Sequence, residues 1–277
     1  MTMQEKEQKL RADLRRLGSL AIAYSGGVDS TYLLKIAVEE LGVRALAVTA
    51  TSTTYPERER LKSQQVAQQI GARQIFVESE ETAIPEFKLN PPDRCYFCKR
   101  ELFYKVAQVA LREGINHLAD GSNVDDLYDH RPGQRALKEL QILSPLRECG
   151  FAKADIRERS RALGLPTWDQ PPFACLSSRF PYGTAITPEA LVKIDRAEAA
   201  LYQLGFRVVR VRHHENMARI EIGPDEISRC GDPEMRRKIV MAVKEAGYAY
   251  VALDLEGYRT GSMNEILDAA ERETSEN

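Results

Sequence analysis

The sequence predicts an α/β protein in two parts, a parallel sheet with helices on both faces followed by a smaller α+β domain. Three observations carry this expectation. Short apolar runs alternate with helix-period segments over most of the chain. A proline-rich stretch then breaks the alternation. Behind it the order changes to helix, strand, strand, helix, strand.

Taken in order, LAIAYSGGVDS opens with an apolar run, breaks at two glycines and passes into TYLLKIAVEELG, whose apolar residues recur at helical spacing until Gly42. That is strand, turn, helix. VRALAVTATS is the next strand, Glu57 to Ile70 a polar helix closed by Gly71, and ARQIFVES a third strand. KRELFYKVAQVALREG continues as a helix, INHLADGSNVDD as a strand-like segment, and KADIRERSRALGLP as a helix stopped by Gly164 and Pro166. Pro166 to Pro188 holds five of the thirteen prolines, which suits a connecting loop better than a helix or central strand. A helix from Pro188 to Leu204, two strands in RVVRVRHHENMARIEI, a helix near Pro233 to Glu245 and a strand in YAYVALDL complete the chain. The boundary falls near residue 180, giving domains 1–180 and 181–277.

With 277 residues, 43% of them hydrophobic, the chain can bury one large core or two modest ones. Its 39 basic and 41 acidic residues nearly cancel, which argues against a nucleic-acid polyanion or a membrane surface as the main partner. The charged start lacks the apolar stretch of a secretory signal, and no run approaches a membrane helix, so a cytoplasmic protein is expected. In a reducing compartment, five scattered cysteines point to metal binding or catalysis rather than to disulfides.

Ser25-Gly26-Gly27-Val28-Asp29-Ser30 lies where a strand gives way to a helix. Glycines let backbone N–H groups approach an anion, the helix N-terminus adds a favourable dipole, and serine hydroxyls add donors. The turn therefore has the chemistry of a phosphate cradle. It lacks the spacing and lysine of a Walker A loop, and it is not G-x-G-x-x-G. Asp29 suits either a magnesium ion on a phosphate or a dipole partner at the helix start.

DRCYFCKR puts Cys95 and Cys98 three apart. From spacing alone the pair fits a zinc half-site, a redox couple, an iron–sulfur half-site or an accident. Zinc would need two further ligands, from Cys149, Cys230 or a histidine. His117, His130, His213 and His214 show no zincin spacing. On RVVRVRH, Arg210 and Arg212 share a face opposite Val209 and Val211, which alone reads as the solvated side of an amphipathic strand.

SGGVDS resembles the loop of the PP-loop ATP pyrophosphatase superfamily. That resemblance implies a Rossmann-like sheet, ATP bound at Ser25, Gly26, Gly27, Asp29, Ser30 and Gly121, transfer of AMP, and Mg2+ on the leaving pyrophosphate. ADGSNVDDLYDHRPG, then SPL at Ser144, ACLSSRFPYGT and LDLEGYRTGSMN are similar to the LarE family of ATP-dependent sulfur transferases, from about residue 18 to 265. The family resemblance implies adenylation of a carboxylate on a pyridinium mononucleotide and its conversion to a thiocarboxylate for the nickel-pincer cofactor. It also implies Cys175 as the active-site cysteine, Arg179, Arg210, Arg212 and Glu198 around the substrate, and assembly as a homo-oligomer through the second domain. Single-cysteine members lack the CYFC pair and give up the sulfur of the residue matching Cys175. With Cys95, Cys98 and Cys175 all present, a branch holding a [4Fe-4S] cluster with one open iron is implied, which would present a sulfide brought by a donor. Sacrifice of Cys175, and a tRNA thiolase of the same superfamily, are the alternatives. Balanced charge and the lack of an RNA-binding module weigh against tRNA.

Overall fold

The computed structural model describes residues 1–127, 132–171, 174–265 and 267. His130 and the neighbouring part of the ADGSNVDDLYDHRPG motif lie outside these residues, as do Pro172 and Phe173. In chain order the regular elements are α1 (Met3–Leu17), β1 (Leu20–Ala23), α2 (Val28–Leu41), β2 (Ala45–Thr51), α3 (Glu57–Ile70), β3 (Arg73–Glu78), α4 (Pro85–Lys88) and α5 (Arg94–Arg112). They continue with β4 (Leu118–Ala119), α6 (Gly133–Glu139), α7 (Pro145–Glu148), α8 (Lys153–Ala162), α9 (Pro188–Gln203), β5 (Val209–His214), β6 (Met217–Ile222), α10 (Pro233–Glu245) and β7 (Tyr250–Leu253). No described helix is long and apolar enough to cross a membrane.

The chain divides into two compact units. The described residues of Met1–Glu81 and Asp93–Phe173 form the first, and those of Thr82–Pro92 and Ala174–Thr274 the second. In the first unit the four strands are parallel in the order β3-β2-β1-β4, as the alternation of strands and helices predicts. Strand alternation sorts the core into two layers. Leu20 and Ile22 of β1 and Ala45 and Ala47 of β2 join the cluster under α1, α2 and α8, while Ala21, Leu46 and Val48 join the one under α5. Helices therefore cover both faces, and every strand residue of β1 can be apolar.

Because β2 lies on one side of β1 and β4 on the other, the chain changes direction across β1. The loops after β1 and β4 stand side by side at that point, which is where open α/β sheets bind ligands. This reversal positions the glycine turn.

In the second unit β5 and β6 form an antiparallel hairpin and β7 adds parallel to β6, in the order β5-β6-β7. Ile194, Leu201, Val209, Val211, Ile220, Ile222 and Val243 are buried in its core. The 82–92 segment belongs here because Asn90, fully buried at φ +53°, ties it to the following loop. Its side-chain amide donates to the Pro181 carbonyl at 2.7 Å, and its carbonyl accepts from the Gly183 N–H at 3.0 Å.

Candidate active site

The turn after β1 is built for close approach. Gly26 sits at φ +72°, and a Cβ there would meet the Ser63 Cβ at 2.8 Å. Gly27 is the N-cap of α2 and brings no side-chain acceptor to the N–H groups of the first turn, leaving them for an anion. The Ser25 and Ser30 hydroxyls lie 3.2 Å apart across the turn, and Ser30 donates to the Gly27 carbonyl at 3.3 Å. Tyr55, from the loop after β2, donates its hydroxyl to the Ser25 carbonyl at 3.0 Å. Two hydroxyls and a set of N–H groups thus stand together on one turn, a chemistry that fits the phosphates of ATP.

The loop after β4 closes on the same turn. Gly121 packs against the backbone of Asp29 and Ser30. Asn123 donates to Asp29 at 3.4 Å, and Lys153, the first residue of α8, forms an ion pair with the same carboxylate. Asp120 is buried and accepts from Ser144 at 2.8 Å, from Ser122 at 2.5 Å and from Lys99 of α5 at 3.3 Å. Burial alone would raise the Asp120 pKa, but Lys99 and the two hydroxyls outweigh it and hold the carboxyl below the usual carboxylate range. Mg2+ is commonly held by one or two carboxylates and the substrate phosphates, so a single Asp29 beside the turn fits such an ion.

Cys95 and Cys98 lie in the first two turns of α5, three residues apart and hence on neighbouring positions of one face. Cys95 is exposed and Cys98 half-buried. Between them Tyr96 is buried, with the Arg135 guanidinium 3.9 Å from its ring centre and its hydroxyl donating to Glu139 at 2.7 Å. This anchor explains why the helix starts at Arg94, five residues before the KRELF pattern: the extra turn is held by α6, a tertiary contact. Among the described residues, no three or more His, Cys, Asp or Glu stand together as a metal ion would need.

In the second unit Cys175 caps a short turn, Leu176–Arg179, and is half-buried. Arg179 and Glu198 are both fully buried and paired through two hydrogen bonds of 2.8 and 3.0 Å. Burial would push the Glu198 pKa up, yet the Arg179 guanidinium holds it below its ordinary value. Arg212 makes a second such fork to Glu221 at 2.8 and 2.6 Å and donates to the Ser178 carbonyl at 2.8 Å. Arg210 is buried too, its guanidinium 4.9 Å from the centre of the Tyr258 ring. The arginines of β5 are therefore not a solvated face.

The first unit thus gathers Ser25, Gly26, Gly27, Asp29, Ser30 and Gly121, and it also carries Cys95 and Cys98. Cys175, Arg179, Glu198, Arg210 and Arg212 belong to the second unit. Asp120, Asn123 and Ser178 also join these groups; they lie inside the ADGSNVDD and ACLSSRF motifs, but the sequence does not single them out as individual residues. Lys99, Lys153 and Glu221 join without any such signal, since a lone charge on a helix or strand names no partner. Cys149 is buried beside Lys9 and Asp13 in the first unit, where burial pushes its thiol up, and Cys230 lies on a turn after β6.

No family model matches the chain. An uncharacterised protein of Synechocystis is 44% identical over 265 residues, covering 96% of this chain and 99% of that protein. The pyridinium-3,5-bisthiocarboxylic acid mononucleotide synthase of Lactiplantibacillus plantarum is 35% identical over 275 residues, 99% of each chain. One chain of the glutamine-hydrolysing GMP synthase of Archaeoglobus fulgidus is 27% identical over 161 residues, 54% of this chain and 52% of that one.

Proposed function

The chain belongs to the LarE family of ATP-dependent sulfur transferases, and from that premise we propose that it acts on a pyridinium mononucleotide, turning a carboxylate into a thiocarboxylate for the nickel-pincer cofactor. The observation that carries the ATP half is the turn Ser25–Ser30, with its converging hydroxyls and helix-start N–H groups. In this reading the substrate carboxylate oxygen attacks the α-phosphorus of ATP and pyrophosphate leaves. The turn holds the departing phosphates, and Asp29 is the residue that would hold a Mg2+ ion, which would offset their charge. Lys153 and Asn123 fix the Asp29 carboxylate. Of the three arginines that the resemblance puts around the mononucleotide phosphate, Arg210 and Arg212 are the cations proposed for that role.

The second half replaces AMP with sulfur. A thiolate is the reactive form of cysteine, and Cys175 is the proposed site of delivery. If its own sulfur is used, Sγ attacks the acyl carbon and AMP leaves. Loss of the Cys175 α-proton then breaks the Cβ–Sγ bond, releasing the thiocarboxylate and leaving dehydroalanine. A second reading keeps the protein intact: Cys95, Cys98 and Cys175 would hold a [4Fe-4S] cluster that presents a donated sulfide. The Cys95–Cys98 spacing on one helical face favours it. A cytoplasmic location, a homo-oligomer and a sulfide donor belong to the same proposal.

Anaerobically purified protein, given ATP, the biscarboxylated mononucleotide and sulfide, tests both halves. The expected result is mononucleotide-dependent pyrophosphate release with thiocarboxylate formed. Release without the mononucleotide, or only with tRNA, would overturn the reading. Iron and acid-labile sulfide in the protein with repeated turnover identifies the cluster, whereas loss of the mass of hydrogen sulfide from the Cys175 peptide identifies sacrifice.

A further inference from the structure

Arg179 is expected from the resemblance to meet the substrate phosphate, but its surroundings suit a different task. It is fully buried, and all its nitrogens have partners inside the protein. Nε and Nη2 bind the two oxygens of Glu198, while Nη1 faces the Ala174 carbonyl at 2.7 Å, the Cys175 carbonyl at 3.0 Å and the Ser178 hydroxyl at 2.9 Å. Ser178 in turn donates to the Cys175 carbonyl at 2.8 Å. The backbone of Cys175 is thereby held from two directions. Glu198 passes that grip to regular structure: it stands on α9, and its Oε1 also accepts from the Val211 N–H of β5 at 3.0 Å.

Stability does not account for such a pair. Two charges taken wholly out of water gain from each other about what desolvation costs, so well-packed apolar residues would serve the core as well. What apolar residues lack is the fork. A guanidinium has five donors in one plane, enough to bind a carboxylate on one edge and backbone carbonyls on the other. An incoming phosphate would have to displace Glu198 or strip those carbonyls of their donors.

We propose that Arg179 and Glu198 are a positioning pair that fixes the Cys175 loop, and with it the thiol, for attack on the acyl adenylate, and that they make no contact with the substrate. The proposal rests on Cys175 being the point at which sulfur is handed over, whether as its own atom or on a bound sulfide. It separates two steps that a substrate contact would not. Adenylation needs the mononucleotide bound but not the thiol in place; transfer needs both.

The experiment compares the wild-type enzyme with Arg179→Lys, which keeps the charge and loses the fork, and with Ser178→Ala, which deletes one anchor and leaves the ion pair intact. A third variant, Arg179→Met with Glu198→Leu, empties the site of charge while filling its volume, so the core keeps no unpaired ion. Each is assayed for mononucleotide-dependent pyrophosphate release, for thiocarboxylate formed, and for the rate at which iodoacetamide modifies Cys175, read by mass spectrometry. The expected outcome is a KM for the mononucleotide in pyrophosphate release within about twofold of wild type, with transfer reduced roughly a hundredfold in the arginine variants and less in Ser178→Ala. Modification of Cys175 changes in the same order. A tenfold rise in KM with transfer per adenylate unchanged would make Arg179 a substrate contact, and wild-type transfer and labelling in any variant that folds would remove the role altogether. Wild-type enzyme that releases no pyrophosphate overturns the functional reading instead, and the labelling rates still judge the pair.

Discussion

A methyl group on Gly121 would stand 2.9 Å from the backbone nitrogen of Ser30 and 3.1 Å from its Cα. The loop after β4 therefore rests on the first turn of α2 with no space between them. Gly121→Ala has to move backbone rather than a flexible side chain, which costs about 1–3 kcal/mol of stability. Because that turn is the proposed ATP cradle, its displacement is expected to weaken nucleotide binding as well. Urea denaturation and nucleotide titration of the variant are expected to show both losses together.

The two glycines of the turn differ in kind. Gly26 is left-handed and its added Cβ would strike the Ser63 Cβ at 2.8 Å, whereas a Cβ on Gly27 would meet only the Ser25 Oγ at 3.4 Å. Alanine at 26 carries a backbone penalty of about 1–2 kcal/mol as well as the clash. Alanine at 27 carries neither. The expected result is a lowered Tm for Gly26→Ala and a near-native Tm for Gly27→Ala; equal losses would contradict the geometry.

Asp120 sets an acid limit on the first unit. Its carboxyl is held below the usual range because, although burial opposes the charge, Lys99, Ser122 and Ser144 favour it more. A depressed carboxyl stabilises the fold above its unfolded value, about 3.9, and that contribution is lost as pH falls through the lower folded value. The stability gap between wild type and Asp120→Asn is therefore constant near neutral pH and narrows below about pH 4. Denaturation curves taken down the pH scale measure the gap directly.

What the sequence made legible is what local chemistry determines. Gly71 closes α3 where the helical period stops, with φ +78°. The parallel sheet follows from strands alternating with helices, and Ser25 to Ser30 stands out because only glycine tolerates both the left-handed turn and the approach of Ser63. Long-range pairings left no such trace. Asn90 gives no sign in sequence that it will bond to Pro181 across ninety-one positions. The spacing of Arg210 and Arg212 gives their shared face, but whether that face meets water depends on what covers it, and Arg212 is closed in by Glu221, Ser178 and Ser262. Lys99 and Lys153 were invisible for the same reason, since each is one cation among many until Asp120 and Asp29 are folded against them.

Glu221 shows how much burial changes the weight of one carboxylate. Its side chain is 1% exposed and that of its partner Arg212 6%, whereas Glu234 and Lys238 on α10 are 66% and 52% exposed at a similar distance. Removing one member of a buried pair strands the other charge away from water, at about 3–5 kcal/mol, while an exposed pair contributes about 0–1 kcal/mol. Glu221→Gln is therefore expected to destabilise the second unit severely and Glu234→Gln hardly at all. Arg219, which also pairs with Glu221, keeps Asp254 and, being a cation itself, offers the stranded Arg212 no counter-charge. Since Arg212 also holds the Ser178 carbonyl, the Glu221 variant should loosen the Cys175 loop before it unfolds. The measurement is iodoacetamide labelling of Cys175 at urea concentrations below the unfolding transition: labelling that rises only with global unfolding would show that the loop does not depend on this pair.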